Sequence, residues 1–215
     1  MPRIALLLVA ALLLPGCQSA YYAAAEKVGI PKRDILQSRV ESARDAQQEA
    51  KEEITDALTE FRRVVDVDGG ELEVRYRKLA DQLEDSEEAA ADVRRRIGAV
   101  EDVAEALFDE WRAELGQYSS ASLRAASERQ LRDTRARYGE MMAAMRRAEQ
   151  RLEPALAPLR DQVLFLKHNL NARAVAGLRG EVARIDAEVD RLVTELEAAM
   201  AEADRFIASL DSTAG

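Results

Sequence analysis

The sequence predicts an all-α fold: an elongated antiparallel bundle of three to four long, coiled-coil-like helices. Three observations predict it. Apolar residues recur at alternating steps of four and three along four separate segments, the spacing that keeps one face of a helix apolar. Helix breakers are few, with five Pro and ten Gly in 215 residues. The composition, 47% hydrophobic and 33% charged with only 5% aromatic, suits long amphipathic helices better than a sheet or a disordered chain.

In chain order, the first element is a leader over residues 1–16. Arg3 supplies a positive start and residues 4–14 are uniformly apolar. As a helix that run spans about 16 Å, half of what a bilayer core requires, so it reads as the core of a signal peptide and not as a membrane span. It ends in Leu14-Pro15-Gly16-Cys17, which resembles the bacterial lipobox: an aliphatic residue, a variable one, a small one, then Cys. Processing of that kind cleaves before Cys17 and leaves covalent diacylglycerol and an N-acyl lipid on it. Each buried acyl methylene contributes about 0.8 kcal/mol, so several chains together anchor stably. Cys17 is thus the expected lipid-attachment residue, and no other cofactor is expected. Gln18 follows it, where an Asp commonly retains such proteins in the inner membrane. The expected location is therefore the periplasmic face of the outer membrane, with the inner membrane as the alternative. Residues 17–30 form the anchored N-terminal segment, with a short helix expected at 20–28. Its Tyr21-Tyr22 pair suits either the membrane interface or packing on the bundle.

The bundle domain is expected over 31–211. Its first seam is Leu36, Val40, Ala43, Gln47, Ala50, Ile54, Ala57, Phe61 and Val64, with one polar member, Gln47. Pro31 suits the start of this helix, Asp34 favours its N-terminus electrostatically, and the run around Gly69-Gly70 closes it. The second seam runs from Leu72 through Tyr76, Leu79, Leu83, Ser86, Ala90, Val93, Ile97, Val100, Ala104 and Leu107 to Trp111, so the helix should extend to about Gly116. Serines over 119–122 can cap a third helix starting near Leu123. Its seam is Leu131, Thr134, Tyr138, Met141, Met145, Ala148, Leu152, Ala155 and Leu159. Pro154 and Pro158 each remove a helical hydrogen bond, which predicts a kink or short break near 150–158. The fourth seam runs from Val175 through Leu178, Val182, Ile185, Val189, Leu192, Leu196, Ala199, Ala203 and Phe206 to Leu210, before a frayed tail at 212–215. An isolated amphipathic helix cannot bury its stripe, so the seams must meet each other or a partner. Their many alanines permit close approach but bury little area each, which implies a slender rod.

The net charge is −9, from 31 basic and 40 acidic residues, and loss of Arg3 with the leader makes it one more negative. A chain so acidic is a poor nucleic-acid binder, and overall charge does not draw it to anionic lipid. One Cys and one His, His168, exclude a disulfide framework and the usual zinc sites. The acids Glu49, Glu52, Glu53, Asp56 and Glu60 avoid the seam positions and lack the Glu-x-x-His motifs of a bundle di-metal centre, so they read as a solvated face. Neither an enzyme nor a small-molecule binder is expected.

One stretch, 161–173, stands apart. Its apolar residues Val163 to Leu166 cover a helix on every side, and Phe165, Lys167, His168, Asn169, Asn171 and Arg173 crowd together. These residues and Trp111 are the candidate partner contacts. The alternative for the stretch is a helix buried among three neighbours, with Asn and His side chains satisfying backbone groups at a helix junction. For Phe108 and Trp111, and for Met141, Met142 and Met145, core packing is the expectation.

Tyr21-Tyr22-Ala23-Ala24, the run from Glu26 to Leu36 with Gly29-Ile30-Pro31-Lys32-Arg33, the run from Ala43 to Lys51, Ala104 to Phe108 with Glu110-Trp111, and 161–173 together resemble a family of Gram-negative lipoproteins catalogued only as a domain of unknown function. The resemblance covers nearly all of the chain after the leader. It implies a lipoprotein with a helical body and carries no catalytic residues. The expected function is a non-enzymatic, lipid-anchored periplasmic scaffold or adaptor that binds another envelope component, a protein or the cell wall. The alternative is a self-assembling, membrane-associated stress or remodelling protein.

Overall fold

The computed structural model describes residues 29–66 and 71–211. The leader, Cys17, the helix expected at 20–28, Tyr21-Tyr22, the Gly69-Gly70 pair and the tail at 212–215 lie outside those residues. Four helices follow one another: α1, Lys32–Val65; α2, Leu72–Glu114, prolonged by a single 3₁₀ turn at Leu115–Gln117; α3, Ala121–His168; and α4, Ala172–Asp211. There is no strand among the described residues.

The helix ends follow local chemistry. Pro31 precedes α1 with extended backbone (φ −71°, ψ 151°), and its carbonyl accepts from the amides of Asp34 and Ile35. Ser120 Oγ accepts from the Leu123 amide at 3.4 Å and caps α3. Asn171 Oδ1 accepts from the Ala174 amide at 3.0 Å and caps α4. The break expected near 150–158 is absent: α3 is continuous through Pro154 and Pro158. Leu152, Ala155, Leu156 and Leu159 flank the prolines and are all buried. Their packing holds the helix together where two backbone bonds are lost.

Each helix packs on the next and α4 closes on α1, so the four stand at the corners of an up-down-up-down ring. Every residue of the first seam is buried. On the other three helices the seam is also the core, with Leu72, Tyr76, Leu107, Trp111, Tyr138 and Val182 only partly covered at its margins. The buried stripe is wider than the seam. Ile35, Ala46, Leu58, Val103, Phe108, Ala144 and Leu156 flank it and are buried too, because a helix in a four-membered ring contacts two neighbours at once. Met141, Met142 and Met145 fill this core as expected. Ser86 lets α1 and α2 approach closely, and its hydroxyl lies 2.9 Å from the Glu53 carbonyl across the interface. Two side chains carry buried, unpartnered atoms, Glu60 at one carboxylate oxygen and Gln47 through its whole carboxamide. Gln47 is fully buried, and neither Nε2 nor Oε1 meets a protein partner.

Charged rows fix the antiparallel registers. Along α1, Arg44, Lys51 and Arg62 pair with Asp204, Glu197 and Asp186 of α4. Steps of seven and eleven residues, two and three helical turns, are matched by equal steps back along the partner. Along α2, Glu87, Arg94 and Glu101 pair with Arg160, Glu153 and Arg146 of α3, in strict heptads with alternating sign. A second hydrogen bond from Arg160 holds the Glu153 carboxyl below its usual range.

Two glycines weaken the start of α4. Nothing lies within 4 Å of a Cβ built on Gly177 or Gly180, so no close approach requires either. Gly177→Ala and Gly180→Ala are each expected to stabilise the bundle by about 1 kcal/mol. Thermal melts, and slower amide exchange over the first turns of α4, would check this.

Candidate functional site

The up-down order decides which candidate residues can share a site. The near end of the bundle gathers the start of α1, the α2–α3 connection and the end of α4. The far end gathers the α1–α2 and α3–α4 connections. The longest helix, α3, has 48 residues and spans about 72 Å between them.

Trp111 therefore does not join the other candidate contacts. It sits at the near end and they sit at the far end. The reason is topological, because one more helix length separates Trp111 from 161–173. The Trp111 indole Nε1 donates to Ser127 Oγ at 2.8 Å. With Arg33, Leu107, Glu110, Gln130 and Leu210 it lines a recess of about 230 Å³. Behind it an aromatic row joins three helices: Phe108 of α2 meets Tyr138 of α3 at 5.4 Å, and Tyr138 meets Phe206 of α4 at 6.2 Å, both edge-on. Arg135 lies over the Phe108 ring at 5.2 Å.

Burial, assisted by the Glu101 carboxylate, pushes the Tyr138 phenol up to about 12. The folded state keeps this proton where the unfolded chain, with its ordinary value near 10, has lost it. The associated stability is present below about pH 10 and is lost as pH rises toward about 12, roughly 2 kcal/mol in all. Tyr138→Phe is expected to remove this part of the alkaline loss. Urea midpoints of the two proteins at about pH 9 and about pH 11 check it.

The far end holds the remaining candidates, and the stretch 161–173 is not buried among three neighbours. Among the described side chains of the stretch only Leu166 is fully buried, whereas Leu164 is 60% and Phe165 44% exposed. The helical period explains it: seven residues on from Leu159 the seam reaches Leu166, and Leu164 and Phe165 fall outside it. Asn169 and Asn171 serve the backbone, as the junction alternative anticipated. Asn169 Nδ2 donates to the Phe165 carbonyl at 2.9 Å, and Asn171 caps α4. Lys167, His168 and Arg173 are exposed. Phe165, Asn169, Asn171 and Arg173, with Gln162 and Gly177, line a shallow recess of about 530 Å³ between the end of α3 and the start of α4.

Leu170, at 38% exposure, completes an apolar patch with Leu164 and Phe165, and sequence inspection missed it. Val74, at the start of α2, is exposed at the same end. The other exposed large hydrophobics, Ile30, Tyr118 and Leu123, belong to the near end. The long sides between the ends carry none of them.

Among the described residues no group of three or more His, Cys, Asp or Glu is placed to hold a metal ion. Of the acids on α1, Glu49, Glu52 and Asp56 are exposed, while Glu53 and Glu60 are half-buried and engaged by Gln82 and Arg63. No described helix is long and apolar enough to cross a membrane. Residues 21–210 match the model of a family described as Protein of unknown function (DUF2959). No curated protein and no solved structure matches the chain.

Proposed function

Because the chain belongs to this family (DUF2959), whose description carries no activity, we propose a role from the geometry: a non-enzymatic, lipid-anchored periplasmic strut. Lipid on Cys17 holds the near end at the outer membrane, and the far end docks on another component of the envelope. The observation that carries this reading is the confinement of exposed large hydrophobics to the two ends. Surface patches of that kind mark contact sites. Sides covered by ion pairs gain little from association, since each exposed pair is worth at most about 1 kcal/mol. The near end is also where the chain after Cys17 enters the bundle, so an acyl anchor there leaves the far end free, about 70 Å away.

Photocrosslinking in cells tests it. A crosslinker at Phe165 is expected to capture a discrete envelope component, while one on the side of the rod, at Arg151, captures none. Capture is expected to fall when Cys17→Ala removes the anchor. Equal capture from both positions, or adducts only between copies of the chain, would overturn the strut.

A further inference from the structure

We infer that the far-end turn between α3 and α4 docks on an anionic phospholipid surface, an inference that rests on the end-docking strut and names what its far end meets. Between Asp161 and Glu181 the chain carries no carboxylate, although the whole has 40 acidic residues. In that interval lie Lys167, Arg173 and Arg179, all exposed, and none makes an ion pair among the described residues. Most other arginines of the rod are paired along their own helix or across to a neighbour. The overall charge of −9 therefore hides a local cationic cap. On the other far-end turn Glu71 and Glu73 are matched by Arg75 and Arg77, while the sequence between α1 and α2 also holds Asp66 and Asp68, so the cationic character belongs to the α3–α4 turn alone.

The shape favours lipid. Leu164 and Phe165 near the end of α3 and Leu170 in the turn are exposed, and exposed Lys167 and Arg173 lie close to them in the chain, with Arg179 two helical turns into α4. Apolar side chains that enter the boundary between headgroups and acyl chains, ringed by cations that meet the phosphates, form the arrangement that binds anionic bilayers. The neighbouring recess is shallow, and its lining mixes Phe165 and Leu178 with Gln162, Asn169, Arg173 and Glu181, so it offers no deep apolar socket for a protein anchor residue. An anchor at the near end and lipid docking at the far end would make the rod a link between two lipid surfaces about 70 Å apart.

The test uses the mature acylated chain with Leu170→Cys carrying an environment-sensitive fluorophore, incorporated into neutral phosphatidylcholine vesicles. Acceptor vesicles of phosphatidylcholine alone, or with phosphatidylglycerol at about a third of the lipid, are then added. Only the anionic acceptors are expected to shift the emission to the blue and to co-sediment with the protein. Each Lys or Arg near such a surface strengthens binding about fivefold, so Lys167→Glu with Arg173→Glu should weaken it at least about a hundredfold, and high salt should reverse it. No shift with anionic acceptors, or an equal shift with neutral ones, overturns the inference. If the chain does not enter the first vesicles, the anchor reading fails, and the labelled chain added directly to the acceptors still answers for the turn. A protein adduct from the Phe165 crosslinker, with no response to lipid, would keep the strut and reject its lipid partner.

Discussion

Gln47→Leu is expected to raise the midpoint of thermal unfolding by roughly 4–8 °C. The carboxamide sits at a seam position of α1, wholly buried, with no protein group to bond either of its polar atoms. A buried, unpaired amide costs about 1–3 kcal/mol, and a leucine of similar volume removes that cost while adding apolar contact. For a domain of this size 1 kcal/mol corresponds to about 2–4 °C. A single polar residue in an otherwise apolar seam often specifies register or oligomeric state at the expense of stability. The variant should therefore be examined by sedimentation as well as by calorimetry. A melting temperature that stays level or falls would show that the amide is satisfied in solution, by water or by a second copy.

Phe206→Ala is expected to destabilise the bundle by about 3–5 kcal/mol, a fall of ten degrees or so in the midpoint. Phe206 is 2% exposed and ends the aromatic row that ties α4 to α3 and α2 near the close of the chain. Truncation leaves a cavity that helices held by side contacts on two faces cannot collapse around. Phe165→Ala makes the same chemical change on an exposed residue and should alter stability by no more than about 0.5 kcal/mol. Denaturant midpoints of the pair provide the check. A Phe165 variant as destabilised as the Phe206 variant would mean that Phe165 is core, and would remove the far-end patch.

The seams were legible because a heptad dictates which residues must face inward, whatever the neighbours turn out to be. All nine seam residues of α1 are buried, including the polar Gln47. What surrounds a seam was less legible. Ile35, Leu58 and Phe108 are buried because a second neighbour covers them, and one helix viewed alone does not reveal how many neighbours it has. The continuity of α3 through two prolines depends on long-range packing at Leu152 and Leu156, which outweighs a local penalty. The candidate site was half legible. Its residues could be named, but apolarity alone suggested burial for Leu164 and Phe165, when the step of seven from Leu159 already left them outside. Counting turns also separates Trp111 from His168, since each antiparallel connection reverses the end.

The two charged rows have different effects on how the chain finds its fold. The row joining α1 to α4 has one sign on each side, so a slip by a heptad still sets Arg44 against Glu197 or, in the other direction, Lys51 against Asp204. It selects which helices are neighbours. The row joining α2 to α3 alternates, and a slip of seven residues in one direction sets Glu87 against Glu153 and Arg94 against Arg146; in the other it sets Arg94 against Arg160 and Glu101 against Glu153. Each such reversal exchanges a gain of about 0.5 kcal/mol for a similar loss. Alanine-rich seams are nearly uniform along their length and discriminate poorly between registers. The alternating row works as a parity check on that uniformity: hairpins misaligned by one heptad fail at two positions at once, and the true alignment passes at all three.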